Sequence, residues 1–508
     1  MRAETANEPL QSINFALSGD PYSYNDTLRL MQRFFFRNWS ATSSKWVFVE
    51  QGSKLLFYFA QSVVLARMLT PTDFGIFASL ALIVGLSSAF SDPGVSTHIV
   101  QLKRLTPVTT SAAFLVVLLS AGSVSLLMLG AAPAIGSIFK LPELQPAVVL
   151  LAASTMLVAL AAVPTGLLMR NLQFRLLAIG GIASSVAGLV CGVVSAAAGW
   201  GLVSLFLIPL GAATISNLAF WPSVGRLRWQ RPNQRSVLWT LNKCKPLVSV
   251  RAADAVLGGV TNGAIAGTAG LHDLAMLGRS ESLRQIPISL ASAVIGRLYL
   301  PQFAAALRSD GEIALAASDS LLAACRRTML FTLPIFAYLY VFSKELTLLI
   351  YGAQWVDAAS ILSLLVPGGV FILLQSLAVN FLLGIGASTS YVRLDMAKKL
   401  LFLAAIMVLA FGSIRDYAVV TSVCWLVTTI AYFVTLRRKG FRFHNSWRMS
   451  VLKYVVASLS IVFLLSVIKE LALVLGLLPG LWLGPFAGAS CAVVVAPVVY
   501  WCCGIFRK

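Results

Sequence analysis

The sequence predicts an all-α polytopic membrane protein of about 14 transmembrane helices, two blocks of six followed by two more. Three observations predict it. The 508 residues are 58% hydrophobic and 11% charged, where a soluble chain carries about 25% charged residues. Long apolar runs recur over the whole length, each near the ~20 residues that cross the hydrocarbon core as a helix, without the short alternating segments of a β-barrel. The positive charge between runs falls in every second gap, which marks the cytoplasmic side.

Taken in order, residues 1–44 are polar and mixed in charge, lack the apolar core of a secretory signal, and read as a cytoplasmic tail. Within them Met31 opens MQRFFFRNWS, a basic aromatic segment that reads as a membrane anchor and a second candidate start. Spans are predicted near 46–67, 74–92, 109–131, 146–168, 176–198 and 201–221, forming an N-terminal lobe over 45–222. The linker 223–246 sets Val237, Leu238, Trp239 and Leu241 beside Arg235, Lys243 and Lys245, as in an amphipathic helix lying on the inner leaflet. A second lobe, 247–437, holds spans near 247–269, 285–305, 328–350, 359–383, 395–412 and 417–436. Residues 438–508 add spans near 451–475 and 481–503. The even number places both termini on the same side, and the charge pattern makes that side the cytoplasm. Trp46, Trp200, Trp221, Trp447 and Trp501 fall at or near span ends, where amphipathic rings prefer to lie.

A net charge of +20 on a soluble domain would point to nucleic acid. Here it follows from topology. Of the 39 Lys and Arg residues, Arg67, Lys140, Arg279, Arg284, Lys344, Arg415 and Lys469 fall in exterior gaps. Lys54, Arg251 and Arg297 lie inside spans, and the rest are cytoplasmic. No nucleic-acid partner is expected, and attraction to anionic membrane lipid is a side effect. The seven cysteines form no C-x-x-C pair and the three histidines are scattered, so no metal or cofactor is expected.

Four motifs carry a resemblance: ARMLTPTDFGIFA (Ala66 to Ala78), SDPGVSTHIVQ (Ser91 to Gln101), MRNLQFRLLAI (Met169 to Ile179) and YGAQWVDAASILSLL (Tyr351 to Leu365). In order and spacing they resemble the polysaccharide-transporter branch of the multidrug/oligosaccharidyl-lipid/polysaccharide (MOP) superfamily, the Wzx-type flippases. LHDLAMLGRS (Leu271 to Ser280) departs from that family's usual G-x-Y turn. Ala66-x6-Asp73 has a counterpart 200 residues on in Ala266-x6-Asp273, in the same exterior gap of the second block. The resemblance implies two pseudo-symmetric lobes around a midplane cavity. It also implies transfer of an undecaprenyl-pyrophosphate-linked oligosaccharide from the cytoplasmic to the periplasmic leaflet of the bacterial plasma membrane, for O-antigen or exopolysaccharide synthesis. Polysaccharide polymerase and chain-length proteins are the protein partners it implies.

Ionisable side chains inside a span cost about 2.5–3.5 kcal/mol at mid-bilayer and usually face a cavity or a partner. Glu50 and Lys54 are four apart, acid first, and Arg251 and Asp254 are three apart. Arg297 has no partner at helical spacing in its own span. They read in two ways: as self-neutralising pairs and a snorkelling arginine, or as Arg251, Arg297 and Lys54 lining a cavity that binds the pyrophosphate, with Asp254 and Glu50 in support. Arg67 and Asp73 flank the first exterior turn, either as a gate or with Asp73 capping the second span. A Walker A motif is absent, so no ATPase is evident and the chain reads as a transporter rather than an enzyme. The rivals are a multidrug cation antiporter of the same superfamily, which needs acidic residues in its cavity, and a polysaccharide polymerase or ligase, which needs a large exterior loop. The largest exterior gap predicted is only 270–284.

Overall fold

The computed structural model describes residues 41–469 apart from 103, 140–143, 225–228, 307–312, 385–386, 411, 440, 442–458 and 468. Every regular element among the described residues is helical. That is the expected answer to a medium in which each backbone N–H and C=O must find an internal partner. The helices are α1 (Ala41–Met68), α2 (Pro71–Ser79), α3 (Ala81–Ser91), α4 (Val95–Gln101), α5 (Pro107–Phe139), α6 (Leu144–Arg170), α7 (Phe174–Ala197) and α8 (Val203–Val224). They continue as α9 (Gln234–Thr268), α10 (Gly270–Ala306), α11 (Ile313–Val341), α12 (Ser343–Tyr351), α13 (Val356–Gly384), α14 (Ser388–Ala405) and α15 (Ile414–Arg438).

Among the described residues, α5, α6, α7, α8, α11, α13 and α15 are long and apolar enough to cross a membrane, and the bent pair α2–α3 makes eight. The protein is a multi-pass membrane protein. The number fourteen is not established by these helices: α1, α9, α10 and α14 carry the embedded charges. The last two expected spans lie outside the described residues except for 459–467 and Lys469. So do residues 1–40 of the expected tail, with Met31, while its last four residues, 41–44, begin α1.

Packing sorts the helices into two groups. α1 lies on α7, α7 on α8, α8 on α6 and α6 on α5; further along, α10 lies on α13, α13 on α11 and α15, and α15 on α14. The groups meet through α3 against α9, α2 against α10, and α12 against the end of α1. One apolar core crosses that junction, with Leu65, Phe206, Phe336, Tyr351, Trp355 and Phe381 all fully buried.

Three expectations are corrected. The linker 223–246 is no separate surface helix, since α9 starts at Gln234, capped by Asn233 Oδ1 on the Ser236 N–H at 2.8 Å, and runs unbroken into the seventh span. Trp239 stands edge-on to His98, ring centroids 4.9 Å apart, while Leu238, Trp239 and Leu241 remain exposed along this part of the helix. The exterior gap 270–284 is absent because α10 begins at Gly270, directly after a turn at Ala269 and Gly270 (φ +93°). Glu281 and Arg284 neutralise each other along the helix at 2.5 Å, so the charges need no loop. The second and ninth spans are each broken, at Leu80 and at Phe342.

Candidate functional site

The end of the bundle that the charge pattern assigns to the exterior is closed by side chains from both groups. α1 stops at Met68, and the carbonyls of its last turn have no helical donors. Trp355 Nε1 donates to the Ala66 carbonyl at 2.8 Å, and Gln354 Nε2 donates to those of Ala66 and Leu69 at 2.5 and 3.3 Å. In the opposite direction Arg67 donates Nε to the Ile350 carbonyl at 3.1 Å and Nη2 to that of Leu349. Those carbonyls end α12, where the helix dipole also favours a cation. Phe74 stands edge-on to Trp355 at 5.4 Å, and the Ser62 and Tyr351 hydroxyls are 3.3 Å apart. Into this corner reaches Arg279 from α10. Its Nη1 donates to Ser62 Oγ at 2.9 Å, and the guanidinium carbon lies 4.3, 5.7 and 5.9 Å from the ring centroids of Phe74, Tyr351 and Trp355.

The approach is close enough to dictate residue size. A Cβ on Gly75 would stand 2.1 Å from the Leu271 carbonyl oxygen, and one on Gly259 2.3 Å from Leu82 Cβ. The second span therefore follows the other group closely, α2 on α10 and α3 on α9.

At the other end, Asp92 ends α3 and its Oδ1 accepts from the Gly94 and Ser96 N–H groups at 3.1 and 3.3 Å. Arg170, closing α6, donates to the Ile99 carbonyl at 2.9 Å and to that of Leu102. The four motifs singled out in the sequence thus meet in pairs. The first and fourth form the exterior closure between the groups, and the second and third form a corner within the first group.

The sequence-predicted residues fall as follows. Lys54 Nζ is 2.6 Å from Glu50 Oε1, and the pair faces Gly181 of α7 with Lys54 44% exposed. Arg251 and Asp254 do not pair with each other: Arg251 Nη1 donates to the Asp92 carbonyl at 2.7 Å, and Asp254 binds Lys399 Nζ of α14 at 2.8 Å. Lys399 also reaches Asp395 at 3.2 Å, itself 2.7 Å from Lys398. Arg67 and Asp73 do not pair either. Asp73 Oδ2 accepts from the Thr70 N–H and hydroxyl at 3.0 and 2.7 Å, a capping box that starts the second span, while Arg67 turns to α12. Arg297 lies in α10, but its side chain is outside the described residues. At 1.5 Å per residue it stands about 40 Å along the helix from Gly270, towards the end of the bundle opposite this closure; Arg251 and Lys54 stand about 25 and 21 Å from the C-terminal ends of α9 and α1.

Sequence reasoning missed Arg279 as a cation buried between the two helix groups because it was assigned to a loop. The signal available was the Glu281–Arg284 pair at i, i+3 spacing after Leu274 to Leu277, an apolar start that reads equally as the first turns of a helix.

The fold is similar to that of solved transporters. A structure of the lipid II flippase MurJ in an inward closed conformation matches with a TM-score of 0.73 at 14% identity, over 92% of this chain and 99% of that one. An inward-facing multidrug resistance MATE family transporter of the MOP superfamily matches with a TM-score of 0.62 at 14% identity, over 76% and 94%. A Vibrio cholerae MATE transporter matches with a TM-score of 0.55 at 15% identity, over 83% and 99%. No curated protein matches the chain by sequence. Residues 64–360, more than half of the chain and including all of the first three motifs and most of the fourth, match the family described as polysaccharide biosynthesis protein, and the chain belongs to that family.

Proposed function

We propose that this protein is a flippase. It moves an undecaprenyl-pyrophosphate-linked oligosaccharide from the cytoplasmic to the periplasmic leaflet of the bacterial inner membrane, both termini cytoplasmic, for O-antigen or exopolysaccharide synthesis. The observation that carries this reading is membership of a polysaccharide biosynthesis family on a fold shared with a lipid II flippase. The physical requirement is clear. A sugar headgroup on a pyrophosphate loses its hydration in hydrocarbon, so the protein must supply dipoles and cations along a passage while the lipid tail stays in the bilayer.

Arg297 near the cytoplasmic end, then Arg251 and Lys54 further in, form a ladder of cations for the pyrophosphate. Guanidinium–phosphate bonds are charge-assisted and can be bidentate, whereas Lys54 acts as a point charge. The two helix groups rock about this site, so that the closure at Arg67, Gln354 and Trp355 opens as the cytoplasmic side shuts. The chain acts as a transporter without chemistry of its own, handing product to polymerase and chain-length proteins.

Deletion tests the reading. The strain accumulates lipid-linked repeat units accessible only from the cytoplasm, and loses surface polysaccharide. Repeat units accessible from the periplasm in that strain overturn it in favour of a polymerase or ligase. Arg251→Ala at normal protein level reduces surface polysaccharide more than Arg251→Lys does.

The cation antiporter shares the fold, but the charges disfavour it. The embedded carboxylates Glu50, Asp254, Glu281 and Asp395 each pair with a Lys or Arg, leaving none of these four free for a cationic drug.

A further inference from the structure

We propose that Arg279 is the anion-responsive latch of the exterior closure: a phosphate group arriving in the passage takes its guanidinium from Ser62 and the aromatic rings and lets the two helix groups part. The proposal rests on the flippase reading for the identity of the anion.

Arg279 is held from both sides of the junction. Ser62 of α1 and Phe74 of α2 belong to the first helix group, while Tyr351 and Trp355 belong with Arg279 to the second. Parting the groups strips Arg279 of its hydrogen bond and of its nearest ring, and leaves the two more distant rings. Aromatic faces attract a cation without neutralising it. Among the described residues no carboxylate pairs with Arg279, and the acid two residues on, Glu281, is engaged by Arg284 at 2.5 Å. The Nε of Arg279 is buried without a hydrogen-bond partner. A guanidinium offers five N–H donors in a planar fork, and one of them, on Nη1, goes to Ser62. The unspent edge bearing Nε suits an acceptor with two oxygens on one centre, as a phosphate has.

The closed state is therefore stable only while Ser62 and the rings are the best partners on offer. A pyrophosphate bearing two negative charges offers a stronger one, and a ligand that binds the released guanidinium better than the held one shifts the equilibrium towards the open exterior. An uncharged polyprenol has no such preference. The carrier would then open outwards when loaded and stay shut when empty, a coupling that needs no separate sensor.

Spin labels introduced as an unnatural amino acid at Trp200, in the α7–α8 turn, and at His272, in the first turn of α10, report the distance between the groups in nanodiscs. Both positions are exposed. In the otherwise unaltered chain, undecaprenyl pyrophosphate raises the population at longer distance and undecaprenol does not. Arg279→Gln shows that population without lipid, an open-to-closed ratio raised about tenfold or more, with no further response. Arg279→Lys stays closed and responds at about tenfold higher lipid, since a point charge lacks the fork. Phe74→Leu keeps an apolar side chain, loosens the latch from the opposite group, and opens in part; it decides the matter if Arg279→Gln fails to fold. Arg279→Gln that stays closed without lipid, or that responds as the unaltered chain does, overturns the latch while leaving the flippase reading intact. An unaltered chain that ignores undecaprenyl pyrophosphate overturns that reading and the anion's part in the proposal together, even if Arg279→Gln opens.

Discussion

The first two spans and their counterparts 200 residues later start alike and then part. α1 ends at Met68 and α9 at Thr268; Pro71 opens the partner helix in one case and Gly270 in the other. After that, the second span breaks at Leu80 and bends by 56°, while α10 continues for 37 residues without interruption. The bend has a use. It lets one span lie along two neighbours in turn, α2 against α10 and α3 against α9, with glycines at the tightest points. The unbroken helix instead carries the charges Arg279, Glu281 and Arg284. The two halves thus divide the labour, one supplying a conforming surface and the other a charged helix.

The comparison breaks most readily where the two halves lock. Trp355 is fully buried, stacks on Phe74 and caps the end of α1. Trp355→Ala removes the ring and orphans part of the cap, so the purified protein loses about 3–5 kcal/mol against unfolding. Trp355→Phe restores most of it, less about 1 kcal/mol for the lost hydrogen bond. If both variants unfold as the unaltered protein does, the exterior closure contributes nothing to stability.

Next come the glycines under the bend. Gly75→Ala drives a methyl into the Leu271 carbonyl and Gly259→Ala drives one into Leu82, each costing about 1–3 kcal/mol as overpacking. Gly258, beside Gly259 on α9, has nothing within 4 Å of an added Cβ, and Gly258→Ala is neutral or gains up to about 1 kcal/mol from helix propensity. Equal effects at Gly258 and Gly259, read by thermal unfolding in one detergent, would falsify the claim that the bent span lies tightly on α9.

What the sequence made legible follows from range. Apolar runs located most helices to within a few residues, because burial in lipid acts on each segment by itself. The start of α10 was missed for the opposite reason: Arg279 and the Glu281–Arg284 pair lower its hydropathy, and their neutralisation within the fold is invisible to composition. The motifs at Ala66 and Tyr351 were recognisable separately, yet their contact spans 289 residues from Ala66 to Trp355 and has no local trace. Arg251 and Asp254 misled because helical spacing supplies a plausible partner, whereas Asp254 has its lysine on α14.

That cluster gives a smaller effect. Lys399→Met removes the bridge between α9 and α14, but Asp254 is 60% exposed and Asp395 keeps Lys398 at 2.7 Å. Water and the remaining lysine compensate, so the loss is about 1 kcal/mol or less. Asp254→Asn alone should cost no more. A loss of several kcal/mol in either variant would mean that the bridge is buried in the assembled state.

The smallest effect separates the two accounts of the first exterior turn. If Arg67 and Asp73 formed a gate, their substitutions would couple, and Arg67→Asp with Asp73→Arg would restore what each removes. The observed partners predict otherwise. Asp73→Ala loses the N3 half of the capping box, about 0.5–1 kcal/mol, and Arg67→Met loses two bonds to the end of α12. These losses act on separate groups, so in a double-mutant cycle they add to within about 0.5 kcal/mol. The charge swap then leaves both caps broken, and the doubly exchanged protein is less stable than either single variant. A coupling well beyond that margin would restore the gate and displace the capping box as the reason for Asp73.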